Sequence, residues 1–153
     1  PSYAGFWLDL ELRDELKIVP VHCAAEDGFR LTPARLDRAV ADAGRPVKAL
    51  LFTSPNNPLG TVSTADEIEE VLAWAESREL HVVFDEIYAL SVFGDREFIS
   101  CAGLRPAGSS MPSSTSCTTH SACRQQALQR SISVSSARSS SMSPLSNSVF
   151  MVD

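Results

Sequence analysis

The sequence predicts an α/β fold built on parallel strands, and three observations carry that prediction. Two short, nearly continuous apolar runs, Val47 to Thr53 and Leu80 to Phe84, flank one amphipathic helical pattern. Each run stops at residues that turn the chain: Ser54-Pro55-Asn56-Asn57-Pro58-Leu59-Gly60 after the first and Asp85-Glu86-Ile87-Tyr88 after the second. The composition, 44% hydrophobic and 21% charged over 153 residues, suits one globular unit, because a domain usually takes roughly 100–200 residues.

Taken in order, Leu16-Lys17-Ile18-Val19-Pro20-Val21-His22 is a β-branched run whose proline marks an edge or bent strand, since Pro cannot donate to a ladder on both sides. Thr32-Pro33 then reads as a helix cap with proline at the first helical position, and Leu36, Ala39, Val40 and Ala43 follow at helical spacing up to Gly44. The run from Val47 to Thr53 suits a strand covered on both faces. Ser63-Thr64-Ala65-Asp66-Glu67 supplies cap hydroxyls with acids in the first turn, and Ile68, Val71, Leu72 and Ala75 carry an apolar stripe to about Arg78. Leu80 to Phe84 is the next buried strand.

Charge divides the chain in two. Residues 1–103 hold 18 of the 19 acids and 9 of the 13 Lys and Arg, whereas residues 104–153 hold four Arg, the single acid Asp153 and 16 Ser. The net charge of −6 excludes a nucleic-acid binder, which needs a basic stripe to displace counterions from phosphate. No apolar run approaches the ~20 residues of a membrane span, and the opening residues do not resemble a signal peptide, so a cytoplasmic chain with no membrane partner is expected. Cys117, His120 and Cys123 sit three apart, but a tetrahedral metal site wants a fourth ligand and none is visible, so no metal is assigned.

Strand, helix and strand within about 40 residues make a right-handed βαβ unit with two parallel neighbours. Ligands of open α/β sheets bind outside the carboxyl ends of the strands. That rule brings Asn57 and the Asp85 to Tyr88 segment to one edge. A carboxylate directly after Val82-Val83-Phe84 is partly buried and needs a partner. Asp85 therefore suits a cap, an Arg partner, or a cationic ring nitrogen held by a charge-assisted hydrogen bond. Asn57 suits a turn residue as well as an amide donor, and Tyr88 a core aromatic as well as a phenol donor.

Ser54-Pro55-Asn56-Asn57-Pro58-Leu59-Gly60-Thr61, followed after one helix by Asp85-Glu86-Ile87-Tyr88, resembles the large domain of the fold-type-I, pyridoxal-phosphate-dependent class I/II aminotransferases. Within these the likeness is nearest to 1-aminocyclopropane-1-carboxylate synthases, through Tyr3-Ala4-Gly5-Phe6, Ile18 to Cys23, Gly28-Phe29 and Phe98-Ile99-Ser100. It covers about residues 1–104. The resemblance implies that Asn57 and Tyr88 hydrogen-bond the phenolic oxygen of pyridoxal 5'-phosphate, that Asp85 pairs with its ring nitrogen, and that Tyr3 stacks on its face. Glu86, pointing the other way along an extended backbone, is read as structural. Amino acids or S-adenosylmethionine are the implied substrates, and a homodimer the implied assembly.

One element of the resemblance is missing. The family joins its cofactor to a lysine as a Schiff base, a few tens of residues after the position of Asp85. This chain holds only Lys17 and Lys48, both upstream. Where the lysine is due, the sequence runs Gly108-Ser109-Ser110-Met111-Pro112 into a Ser-rich segment with one aromatic, Phe150. Residues 105–153 are therefore expected to be a low-complexity, disordered tail, either a natural flexible one or one translated out of frame or from a retained intron. The chain is expected to be inactive as it stands, with no catalytic residue of its own. The alternative is a non-catalytic fragment that docks on a full-length homologue.

Overall fold

The computed structural model describes residues 1–13 and 15–104, together with the backbone of 118–120 and 148–152. Strands β1 (Lys17–Val21), β2 (Ala49–Thr53), β3 (His81–Asp85), β4 (Thr118–His120) and β5 (Ser148–Val152) form one sheet in the order β1-β5-β2-β3-β4. All four pairings are parallel. The β2–β3 register sets Ala49 opposite His81 and Thr53 opposite Asp85, so the strands expected to be neighbours from the βαβ pattern are neighbours. β1 lies at an edge and pairs only with β5, which is where a strand containing Pro20 is tolerated.

Helices α1 (Pro33–Asp42) and α2 (Ala65–Glu76) pack on one face. The start of α2 is a full capping box: Thr64 Oγ1 accepts from the Glu67 N–H at 3.3 Å, and Glu67 Oε2 accepts from the Thr64 N–H at 2.9 Å. Thr32 has the extended backbone of a cap, but its hydroxyl makes no cap hydrogen bond. Arg35, at the third helical position, turns instead to the His22 carbonyl at 3.0 Å and to the carboxylate of Asp27.

The sheet is covered on both sides. Leu50, Phe52, Val82 and Phe84 face Leu36, Ile68, Val71 and Trp74 of the helices. Leu51 faces the other way, with Leu10 and Leu16 around it and Phe6, Trp7, Ile18 and Val83 at the margin. That second layer includes Trp7–Arg13, a π-helix. Two layers explain why the run at β2 is apolar throughout instead of alternating. Phe52 and Phe84 meet edge to face, with ring centroids 5.0 Å apart.

Two stretches of the Ser-rich segment, β4 and β5, thus take part in the sheet. The rest of the segment expected to be disordered lies outside the described residues, as do the side chains of Cys117, His120 and Cys123. Among the described residues no cluster of ligands holds a metal geometry, and no helix is long and apolar enough to cross a membrane.

Candidate active site

Because every strand runs the same way, β2 and β3 end on one edge, and the chain leaves both there. After β2 the loop turns through Ser54-Pro55 and Asn57-Pro58, both cis peptides. Buried Ser54 anchors it: its N–H donates to the Asp85 carbonyl at 3.1 Å and its Oγ accepts from the Ser63 N–H at 3.1 Å. The Asn56 side chain accepts from the Leu59 N–H at 3.3 Å, and Gly60, at φ +68°, closes the turn. These bonds tie the Asn57 loop to the tip of β3.

Asn57 Nδ2 donates to the Tyr88 phenol oxygen at 3.3 Å. The amide and the phenol expected to share one ligand atom are thus within hydrogen-bond reach of each other, although they lie 31 residues apart in sequence. Asp85 ends β3, half-buried, and its Oδ1 accepts from the Ile87 N–H at 3.2 Å. The carboxylate is therefore held by the turn that carries Tyr88, as the capping reading of Asp85 requires. Glu86 points away, as expected: it is 8% exposed, accepts from the Cys101 N–H at 2.9 Å, and has Ser100 Oγ 3.0 and 3.1 Å from its two oxygens.

Tyr3 is not brought to this group. Its ring packs edge-on to Phe6, with centroids 5.4 Å apart, and lies over Gly5, where an added Cβ would clash with it. Only the absence of a side chain at Gly5 allows this placement.

Asn57 and Tyr88 line an open concavity of about 410 Å³, within the ~300–1,000 Å³ of small-molecule sites. Its walls include Pro55, Pro58, Val62, Ser91, Phe93 and Arg96. The last three were not anticipated from sequence, because residues 91–97 carry neither period nor motif. The lysines are remote. Lys17 opens β1, and Lys48 precedes β2, where its carbonyl accepts from the His81 N–H at 3.1 Å. Both occupy the amino edge of the sheet, and four residue steps of β3, about 13 Å, separate His81 from Asp85.

The parallel strands thus bring an amide, a phenol and an acid to the carboxyl edge of the sheet, the edge at which open α/β sheets bind their ligands. The aminotransferase class I and II family matches residues 1–121, and the chain belongs to that family. The match runs past the change in composition at 104. Among curated relatives, a probable aminotransferase of Arabidopsis thaliana is 37% identical over 111 residues, which is 71% of this chain and 22% of that protein. A 1-aminocyclopropane-1-carboxylate synthase of Cucurbita maxima is 42% identical over 103 residues, 65% of this chain and 22% of that protein. Among solved structures, the aromatic aminotransferase of Pyrococcus horikoshii is 34% identical with a TM-score of 0.49, over 55% of this chain and 22% of that one. The chain spans about a fifth of the length of the curated relatives it matches.

Class I and II aminotransferases and 1-aminocyclopropane-1-carboxylate synthases depend on pyridoxal 5'-phosphate. The donor set fits the ring of that cofactor. An amide N–H and a phenol O–H suit a phenolate oxygen, and a carboxylate suits a pyridinium nitrogen.

Proposed function

We propose that this chain supplies the ring-binding wall of a pyridoxal-phosphate enzyme that acts on amino acids or on S-adenosylmethionine. When bound, the cofactor supplies an electron-poor ring that accepts the electrons of a bond broken at the substrate α-carbon. Asn57 and Tyr88 hold the phenolic oxygen, and Asp85 keeps the ring nitrogen protonated. The observation that carries the reading is the 3.3 Å approach of Asn57 to Tyr88 beside the carboxylate that ends β3. On its own the chain does not form the covalent link to the cofactor, because both of its lysines lie at the opposite edge.

Pyridoxamine 5'-phosphate fluorescence tests the binding half. The chain should bind it, Asp85→Asn and Asn57→Ala should each weaken binding about tenfold, and unchanged affinity in both variants overturns the reading. Incubation with pyridoxal 5'-phosphate tests the other half. No band near 420 nm should develop, and a borohydride-fixed adduct mapped to a lysine of this chain would contradict the assignment. A second reading, a non-catalytic segment that docks on a full-length homologue, is favoured by Leu90 and Phe93, which are 98% and 85% exposed beside the concavity. Co-purification with such a homologue distinguishes it.

A further inference from the structure

The loop from β2 to α2 is held at two levels. Its inner turn holds itself: the Asn56 N–H donates to the Thr61 carbonyl at 2.9 Å, the Gly60 N–H to the Asn56 carbonyl at 2.8 Å, and the Leu59 N–H to Asn56 Oδ1 at 3.3 Å. None of these bonds reaches another element, so they fix the shape of the turn and not its place. Asn57 rides on the turn, whereas Tyr88 stands on the segment after β3. The 3.3 Å between them therefore depends on where the turn sits as a body.

Both ends of the loop meet at Ser54, which is 2% exposed. Its N–H donates to the Asp85 carbonyl at the tip of β3, and its Oγ accepts from the N–H of Ser63, the residue before the Thr64 cap of α2, each at 3.1 Å. The next N–H, that of Thr64, is held by Glu67. The Oγ bond thus fastens the far end of the loop to a helix whose Ile68, Val71 and Trp74 lie in the core. Six of the residues that line the concavity fall between Ser54 and Ser63, and Ser54 is not among them.

We infer that Ser54 is a positioning residue: its hydroxyl clasps the Asn57 turn against the tip of β3, at the distance from Tyr88 where amide and phenol reach one ligand oxygen. The inference rests on the cofactor reading above and deepens it, by naming the group that sets recognition of the phenolic oxygen. Loss of the hydroxyl leaves the inner bonds of the turn intact. The turn then shifts as a unit, and the grip on that one oxygen weakens while Asp85 keeps its place at the end of β3.

The experiment measures calorimetric binding of two compounds to the 153-residue chain and its variants. One is pyridoxamine 5'-phosphate, and the other is its 3-deoxy analogue, which lacks only the phenolic oxygen. The parent should prefer the first. Ser54→Ala should lose about fivefold in affinity for it, the worth of one neutral hydrogen bond, and bind the deoxy analogue as the parent does. Ser54→Thr, which keeps the oxygen, should retain the preference. Thr64→Ala, which weakens the start of α2 without removing the Ser54 bond, should retain it too. In an Asn57→Ala background Ser54→Ala should cost nothing further, because the two act as one unit. Equal loss on both compounds, a like change in Thr64→Ala, or additive losses in the double variant shows a merely structural role and overturns the assignment. If the parent binds neither compound, or binds both equally, the cofactor reading fails and the assignment with it. If the parent prefers the phenolic oxygen and Ser54→Ala keeps that preference, only the assignment of Ser54 fails.

Discussion

Glu86 shows how one residue can serve the site without touching it. A buried carboxylate is costly unless its acceptors are used, and here the Ser100 hydroxyl and the Cys101 N–H use them. The bonds close residues 86–101 into a loop whose inner stretch holds Tyr88, Phe93 and Arg96. Glu86→Ala leaves two donors without acceptors and should cost about 1–3 kcal/mol in urea unfolding. Glu86→Gln, which still offers a carbonyl oxygen, should cost less. The opposite orientations of Asp85 and Glu86 were legible in sequence, because neighbours on an extended chain face opposite ways. A different rule, that parallel strands end on one edge, brought Asn57 to the segment that carries Tyr88. The place of Arg96 in the wall of the concavity was not legible, because it is not a property of spacing.

At the scale of elements, hydroxyl and acid patterning gave the capping of α2 correctly and that of α1 only in outline. Thr64→Ala should lower stability by about 1 kcal/mol, and a matched Thr32→Ala, which removes no cap bond, should cost less; parallel thermal melts compare them. The two helices are joined by Asp37, which accepts from Trp74 Nε1 at 2.9 Å and pairs with Arg78, itself 4.7 Å from the centre of the Trp74 ring. This cluster had no signature, since Asp37 and Arg78 stand 41 residues apart. The π-helix at Trp7–Arg13 escaped for another reason. Leu8, Leu10 and Leu12 alternate with polar residues at a period of two, and only Leu10 is buried, so neither the helical nor the strand template describes the packing.

For the whole molecule, the parallel sheet was readable from two strands and a helix, but its strand order was not. A Ser-rich composition argues against a packed segment, yet Val149-Phe150-Met151-Val152 is a short apolar run within it. β5 uses that run to stand between β1 and β2. Ending the chain at residue 104 removes the partner of β1. Amides of Val19 and Val21 should then exchange with solvent much faster than in the full chain, while that of Ile18, which donates to Glu11 Oε1, and those of β2 and β3 should speed up less or keep their protection. Equal protection of β1 in both chains would show that β5 does not hold it.

The insertion of β5 also has a consequence for how the protein is made. Lys17 lies opposite Ser148, so about 130 residues must leave the ribosome before the first strand meets its neighbour. At ~5–20 residues per second that wait is on the order of ten seconds. Throughout it, β1 presents an open edge on which another chain can pair.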